Sequence, residues 1–543
     1  MNNEVDTIFI NGSVITVDDN DRICEALAVK GNRIFFLGNS TEVSKLADSN
    51  TAIFDLRGRT LMPGFVDAHC HPGTYGVIQF QVACGPDEIH SIKELQQAVA
   101  RKAAETPSGE WILGRGYNHL SLKEKRHPTR WDLDAAAPDH KVFLVRTCGH
   151  IAVANSLALE AYGIGKTTLD PKGGKIERDQ QGEPTGVLLE QAAMSFRMRT
   201  LPSDLDLEKG LRITNRDFLA LGITSLHDAN GINPAEIRVF QKGVEEDWIQ
   251  IRLYLMVRSS GTENTLGDLY LQTGLVTGFG NEKMRLGPYK LMLDGAGSGA
   301  SASMKEPYHN DQNNFGILYL TQEELDSKVA YAHLTGYQVA VHAIGDRAMD
   351  MILESFSKVL TRYPRANHRH RIEHCGFLDR THIEKIRELG LVPVLGVPFL
   401  YELGDTYLEI FGEKRLEHIY PLRSLMDMGV MSCLSSDAPV IQPNPMHGLY
   451  AAAVHKTPSG RTVAPLEKVD LLHAIRAYTV NGAYASFEER LKGSLEKGKL
   501  ADLIVLSQNI LETPQEELLK VTVDLTMIDG KIVFSKVDKK TEL

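Results

Sequence analysis

Two histidines two positions apart, His69 and His71, flank Cys70 in "LMPGFVDAHCHP", directly after a short apolar run. Imidazole and thiolate both bind a borderline cation, so the triplet could hold zinc through all three side chains or through the imidazoles alone. In an extended strand residues i and i+2 face one side, which keeps His69 and His71 together and turns Cys70 away. An HxH by itself is a weak signal. It gains weight because further polar residues close other apolar runs: Lys290 in "GPYKLMLDG", His342 in "YQVAVHA", His374 in "HRIEHC" and Asp437 in "CLSSDAP". Four imidazoles, a carboxylate and a lysine recurring in this way point to a metal centre.

Such residues must be positioned by strands whose ends converge. Eight apolar runs occur in order: "MPGFVDAH", "GITSLHDA", "IRLYLMV", "YKLMLDG", "YQVAVHA", "HRIEHC", "LVPVLGV" and "VMSCLSSDA". Helical patterns lie between them. In "DRAMDMILESFSKVL", Ala348, Met351, Ile352, Ser355, Phe356 and Val359 share a face at 3.6-residue spacing, and Asp346 is placed to cap the helix. Eight β/α units predict an α/β fold, a (β/α)8 TIM-type barrel with chemistry at the C-terminal ends of its strands. A doubly wound open sheet is the alternative, but no glycine-rich dinucleotide fingerprint follows the first strand.

Both ends of the chain read as β-structure. Asn11-Gly12 in "DTIFINGSVITV" and Asp529-Gly530 in "LTMIDGKIVFS" are hairpin signals, because these residues tolerate positive φ. The expectation is a small β-sandwich built from both termini, residues 1–62 plus 485–543, around a barrel of residues 63–75 plus 203–484. Two separate β-appendages are the alternative. The segment 76–202 is too long for a β-to-α connection and carries its own core-like patterns, so it is expected to be a domain inserted after the first barrel strand that shapes the active site.

Bulk properties narrow the function. With 59 Lys+Arg against 70 Asp+Glu the net charge is −11, which offers no general field for nucleic acid or an anionic membrane. No basic segment with a long apolar core opens the chain, and no run of about 18 apolar residues occurs, so neither a signal peptide nor a membrane span is expected. The six cysteines include no CxxC pair and suit free thiols in a reducing cytoplasm.

Together these features resemble the amidohydrolase superfamily of metal-dependent hydrolases over nearly the whole chain, including the β-rich ends, "PGFVDAHCH" and "GSLEKGKLADLIVL". The long insertion, "WILGRGYN", "KLMLDG" and "VAVHAIGDRAMD" resemble more narrowly the branch that holds YtcJ-like proteins and N-substituted formamide deformylase. The resemblance implies two divalent ions, with His69 and His71 on the more buried one and His342 and His374 on the more exposed one. It implies that Asp437 binds the buried ion and handles protons, and that Lys290 is N6-carboxylated and bridges the ions. An ordinary lysine in a mononuclear site is the alternative. Zinc is the default ion, with manganese or iron as substitutes.

The implied activity is hydrolysis of an amide-like, non-peptide C–N bond of a small molecule by metal-activated hydroxide. Deaminases and ester or lactone hydrolases of the same superfamily are the alternatives. Deaminases commonly carry a glutamate three residues after the fifth-strand histidine, where this chain has Gly345. His150 in "RTCGHIAVANS" and Asp294 are candidate substrate contacts, and Asp294 and Glu373 are also candidates for orienting ligands. "DGAGSGASASM", from Asp294 to Met304, reads as a mobile active-site loop or a plain connection. A homodimer is a further expectation from the family. A non-catalytic binding or regulatory protein on this scaffold would be expected to have lost ligands, whereas all six positions hold competent residues.

Overall fold

Eight parallel strands form one sheet: β1 (Phe65–Cys70), β2 (Ile223–Asp228), β3 (Arg252–Arg258), β4 (Met284–Met292), β5 (Val339–Ala343), β6 (Arg371–His374), β7 (Val392–Leu395) and β8 (Cys433–Leu434). Each coincides with one of the eight apolar runs. The computed structural model describes residues 5–536, apart from 87, 148, 150, 172–173, 201, 230–233 and 260–264. Neighbours in space are neighbours in sequence from β1 to β8, and β1, β2, β6 and β7 are buried along their whole length. Strands covered on both faces need continuous apolar sequence, which is why they stand out as runs rather than as alternations. The sheet is a nearly closed TIM-type barrel. Just past the strand ends, Asp437 N–H donates to His69 C=O (2.8 Å) and His71 N–H to Ala438 C=O (2.8 Å), which joins the last strand's exit to the first.

The helix after β5, Asp346–Arg362, buries Ala348, Met349, Ile352, Leu353, Ser355, Phe356 and Val359. Its N-cap is Gly345, without a side-chain cap, so Asp346 is not the cap expected from its residue type. Asp346 lies in the first turn, where a carboxylate favours the positive end of the helix dipole, and accepts Lys305 N–H at 2.8 Å.

The same unit, residues up to Tyr75 and from Leu211 onward, contains two further sheets. The first has four strands in the order Arg33–Gly38, Ala26–Lys30, Thr7–Ile10, Ala52–Asp55. The second mixes both ends of the sequence, in the order Lys531–Ser535, Val523–Ile528, Leu503–Leu506, Thr60–Pro63, Ser13–Ile15, Ile23–Cys24. Phe9, Leu27, Leu61, Leu503 and Leu525 share one buried core. The Asp529-Gly530 hairpin forms, with φ of 51° and 71° and Ile528 opposite Lys531. Asn11-Gly12 makes no hairpin. Thr7–Ile10 and Ser13–Ile15 pair in different sheets, so the turn carries the chain from one sheet to the other. Partners far away in sequence, which a local turn signal does not contain, decide the outcome there.

Gly76–Gly210 forms a separate unit. Its six-stranded sheet runs Gly174–Arg178, Pro184–Glu190, Ile151–Ala154, Lys141–Arg146, Trp111–Tyr117, Val82–Ala83. One apolar cluster gathers Leu95, Val99 and Leu133 with Val142 and Leu144, and another gathers Phe143, Leu159, Leu188 and Phe196.

The barrel and the terminal sheets are tied by a buried arginine. Arg252, 2% exposed at the start of β3, donates to both oxygens of Asp502 (2.5 and 2.9 Å) and to Asp529 (2.6 Å). Truncating one partner of a buried pair leaves the other charge uncompensated. Arg252→Ala should therefore lower unfolding stability by about 3–5 kcal/mol, read as a fall in the denaturant midpoint.

Candidate metal centre

The histidines expected at the mouth arise from the first strand's alternation. Asp67, His69 and His71 fall on one side and Cys70 on the other. Cys70 is buried with Sγ 3.9 Å from the His227 carbonyl, and burial raises its thiol far above the ordinary value. A thiol turned to the neighbouring strand points away from the imidazoles, which leaves His69 and His71 as the candidate ligands of this stretch.

His69 Nδ1 lies 2.5 Å from Glu373 Oε2, and both side chains are almost fully buried. The carboxylate fixes the tautomer: Nδ1 carries the proton and Nε2 presents a lone pair. That Nε2 lies 3.5 Å from Asp437 Oδ1, and His71 Nε2 lies 2.9 Å from the same oxygen. The His374 ring centroid is 4.7 Å from that of His69 and 4.5 Å from that of His342. Ligand atoms of His69, His374 and Asp437 all lie within 4.8 Å of one another. His374 and Asp437 hold left-handed backbone, φ 70° and 54°, a strained choice for residues with a side chain at a strand exit.

Lys290 comes from β4 and is 1% exposed. Burial pulls its ammonium down to about 7 against the opposing pull of Glu373. Its charge in turn acts on His69, His342 and His374. Burial comes first in depressing all three imidazoles, His342 to about 3, so they stay in the neutral form that offers a lone pair. His342 Nε2 sits 3.2 Å from the Gly295 carbonyl and 3.4 Å from Asp294 Oδ1.

Asp294 does not offer a free carboxylate to a substrate. It is fully buried and accepts N–H from Ser303 (2.9 Å), Ile344 (3.1 Å) and Gly345 (2.8 Å). Those bonds, with Ser301 N–H to Ala296 C=O and Met304 N–H to Phe315 C=O, stitch down the segment that reads from sequence as a mobile loop. His150 lies outside the described residues.

Two partners, Arg371 and Asp67, were not apparent from residue types. Arg371 donates twice to Glu373 (2.7 and 3.0 Å), to the Ala68 carbonyl (2.6 Å), and faces His227 Nδ1 at 2.9 Å. Asp67 accepts Ser436 N–H (3.1 Å) and Oγ–H (2.5 Å), clamping the end of β8 to β1. The signal was present as alternation: "RIEH" and "VDAHCH" put Arg371 with Glu373, and Asp67 with His69, on one side of each strand.

The donor set fits a divalent cation. Among the described residues His374 Nδ1 is a buried polar atom without a hydrogen-bond partner, and Asp437 Oδ1 meets only the imidazole nitrogens of His69 and His71; such atoms are rare unless an ion or water completes them. Imidazole nitrogen beside carboxylate oxygen suits zinc-type ions.

A nearly closed barrel with this cluster at its mouth defines a class of metal-dependent hydrolases, and residues 52–534 match the model of the amidohydrolase family, to which the chain belongs. It is 28% identical to the N-substituted formamide deformylase of Arthrobacter pascens, covering 98% of each chain. It is also 28% identical to the putative amidohydrolase YtcJ of Bacillus subtilis, covering 97% of this chain and 99% of that one. The crystal structure of an uncharacterized metal-dependent hydrolase from Pyrococcus horikoshii superposes with a TM-score of 0.78 at 26% identity, over 94% of this chain and 99% of that one.

Glu373→Gln should weaken metal retention by about 10–100-fold, the usual penalty for losing the partner that orients a ligating histidine. Dialysis against graded chelator followed by elemental analysis reads the change.

Proposed function

We propose that the chain hydrolyses a carbon–nitrogen bond in an amide-like small molecule, with His69, His71, His342, His374, Asp437 and Lys290 as the metal-holding set. The observation that carries this reading is the convergence of His69, His374 and Asp437, with His71 against the same carboxylate oxygen and His374 Nδ1 left without a hydrogen bond among the described residues. The resemblance to a formamide deformylase along the full chain supports the bond type. Two ions, zinc in the first instance, would occupy the set. Bound there, a divalent ion polarises a carbonyl and acidifies water.

The chain's own residues do the rest. Glu373 holds the His69 ring and its tautomer. Asp437 Oδ1 accepts a proton from the attacking water and returns it to the leaving nitrogen. Lys290 enters the set as a carbamate, since a buried ammonium would repel cations whereas a carbamate supplies anionic oxygen.

Gly345 weighs against the deaminase alternative. A Cβ there would stand 1.9 Å from the Ser303 carbonyl oxygen, while Gly345 N–H is bonded to Asp294. The backbone leaves no room for the glutamate that deaminases carry at this position.

A hydrolysis screen of zinc-loaded protein across N-formyl amines, N-acyl amino acids, cyclic amides, esters and amino-purines tests the reading. Release of amine from an amide, abolished by chelator and restored by metal, is expected; ammonia release from the amino-purines alone, or no turnover of any compound, would overturn it. Asp437→Asn should lower kcat by about 10²–10⁴-fold. Gentle intact-protein mass analysis should show Lys290 heavier by one CO2, and Lys290→Ala should lose metal and activity, with partial rescue by short carboxylic acids. A fully metal-loaded protein with an unmodified Lys290 would sink the carbamate.

A further inference from the structure

Two phenols meet beside this centre. Tyr407, in the helix Gly404–Phe411, and Tyr420 are both almost completely buried, with their hydroxyl oxygens 3.2 Å apart. Three loops at the C-terminal ends of the strands place them. Tyr420 N–H donates to the carbonyl of Gly376, two residues past His374, at 2.8 Å. Its ring packs on Gly396, just beyond β7, where a Cβ would come within 3.3 Å of it. Phe399 connects the pair to the ligands: its ring is 6.0 Å from that of Tyr420 and stacks at 6.3 Å, 22°, on His374. On the other side, the Tyr407 hydroxyl stands 3.2 Å from where a Cβ of Gly297 would be, in the loop whose Gly295 carbonyl meets His342.

Counting donors makes the pair informative. Each phenol has one O–H, and the single bond between them consumes only one proton. The second proton has no acceptor among the described residues, although buried hydroxyls are almost always satisfied. Burial, ahead of the neighbouring phenol and the Asp437 carboxylate, raises the Tyr420 hydroxyl well above its ordinary value. A glycine at 297 keeps the space over the Tyr407 hydroxyl clear of a side chain.

We propose that the Tyr407–Tyr420 pair donates its spare hydrogen bond to an acyl oxygen of the bound substrate, with Tyr407 as the terminal donor and Tyr420 as the group that orients it. The assignment rests on the hydrolase reading above and adds a residue to it. An oxygen that gains negative charge as the carbonyl is attacked draws more from a fixed donor in the transition state than in the ground state. The effect therefore falls mainly on kcat. Tyr420 is a positioning residue: its loss lets the Tyr407 hydroxyl rotate without removing it.

The test uses full-length zinc-loaded protein and three variants: Tyr407→Phe, Tyr420→Phe and the double variant. Metal content by elemental analysis should be unchanged in all of them. On the best amide substrate of the screen, Tyr407→Phe should lower kcat about 10²-fold with KM moved less than threefold, in line with loss of one transition-state donor. Tyr420→Phe should lower it less, and the double variant should match Tyr407→Phe, because both act on one hydrogen bond. Calorimetric titration with acetate, an acyl oxygen that cannot react, supplies a reading independent of turnover: Tyr407→Phe should weaken its binding about tenfold. Values of kcat within twofold of the parent in fully metallated variants would overturn the proposal. So would acetate binding that is absent in the parent or unchanged by Tyr407→Phe. A parent that turns over no amide yet loses acetate affinity in Tyr407→Phe would refute the hydrolase reading and leave the donor standing.

Discussion

Charge burial at the barrel's mouth sets the terms for everything around it. Arg371 and Glu373 are both wholly inaccessible to solvent, and either charge left there without the other would be strongly destabilising. The guanidinium divides its donors between Glu373 on its own strand, the Ala68 carbonyl on β1 and His227 on β2, so one side chain spans the interior. Glu373 spends its remaining capacity on His69. The group that neutralises the arginine is thus the same group that sets a ligand's tautomer, and packing and chemistry cannot be varied separately.

The seam between β8 and β1 obeys the same economy. β8 is only Cys433–Leu434, too short to close a barrel by strand pairing. Closure is completed by Asp67 taking both donors of Ser436 and by two backbone hydrogen bonds just above. Asp437, the next residue, leaves this clamp in a left-handed conformation that turns its carboxylate to His69 and His71. Its position is paid for by the seam rather than by a regular strand.

Much of this was legible in the sequence for one physical reason. Parallel strands buried on both faces must be apolar throughout, so each ends visibly where a polar residue begins, and that boundary is where a barrel displays side chains. His69, His342, His374 and Asp437 stand at such boundaries, whereas Lys290 lies inside β4 with Leu291 and Met292 after it. Features decided by distant partners were not legible. Asn11-Gly12 looks like a hairpin until the neighbours of each flanking strand are known. "DGAGSGASASM" has the composition of a flexible loop, yet Asp294, a residue the eye reads as reactive, holds it down through backbone amides. Gly345 rather than Asp346 is the cap, and the Ser303 carbonyl occupies the space a side chain at 345 would need.

The second terminal sheet has a consequence for how the molecule is made. Thr60 accepts the N–H of Ile510, 450 positions further along, and Leu503–Leu506 is the strand that covers Thr60–Pro63. On a ribosome the early strands emerge with Leu61 and Val14 uncovered and must wait for nearly all of the barrel before their partner exists. Thr7–Ile10, Ala26–Lys30 and Ala52–Asp55 can pair with one another early, but Phe9 and Leu27 on them share a core with Leu503 and Leu525 and wait for the same late strands. Assembly of the barrel is thereby enclosed in time between the first and last strands of a single sandwich.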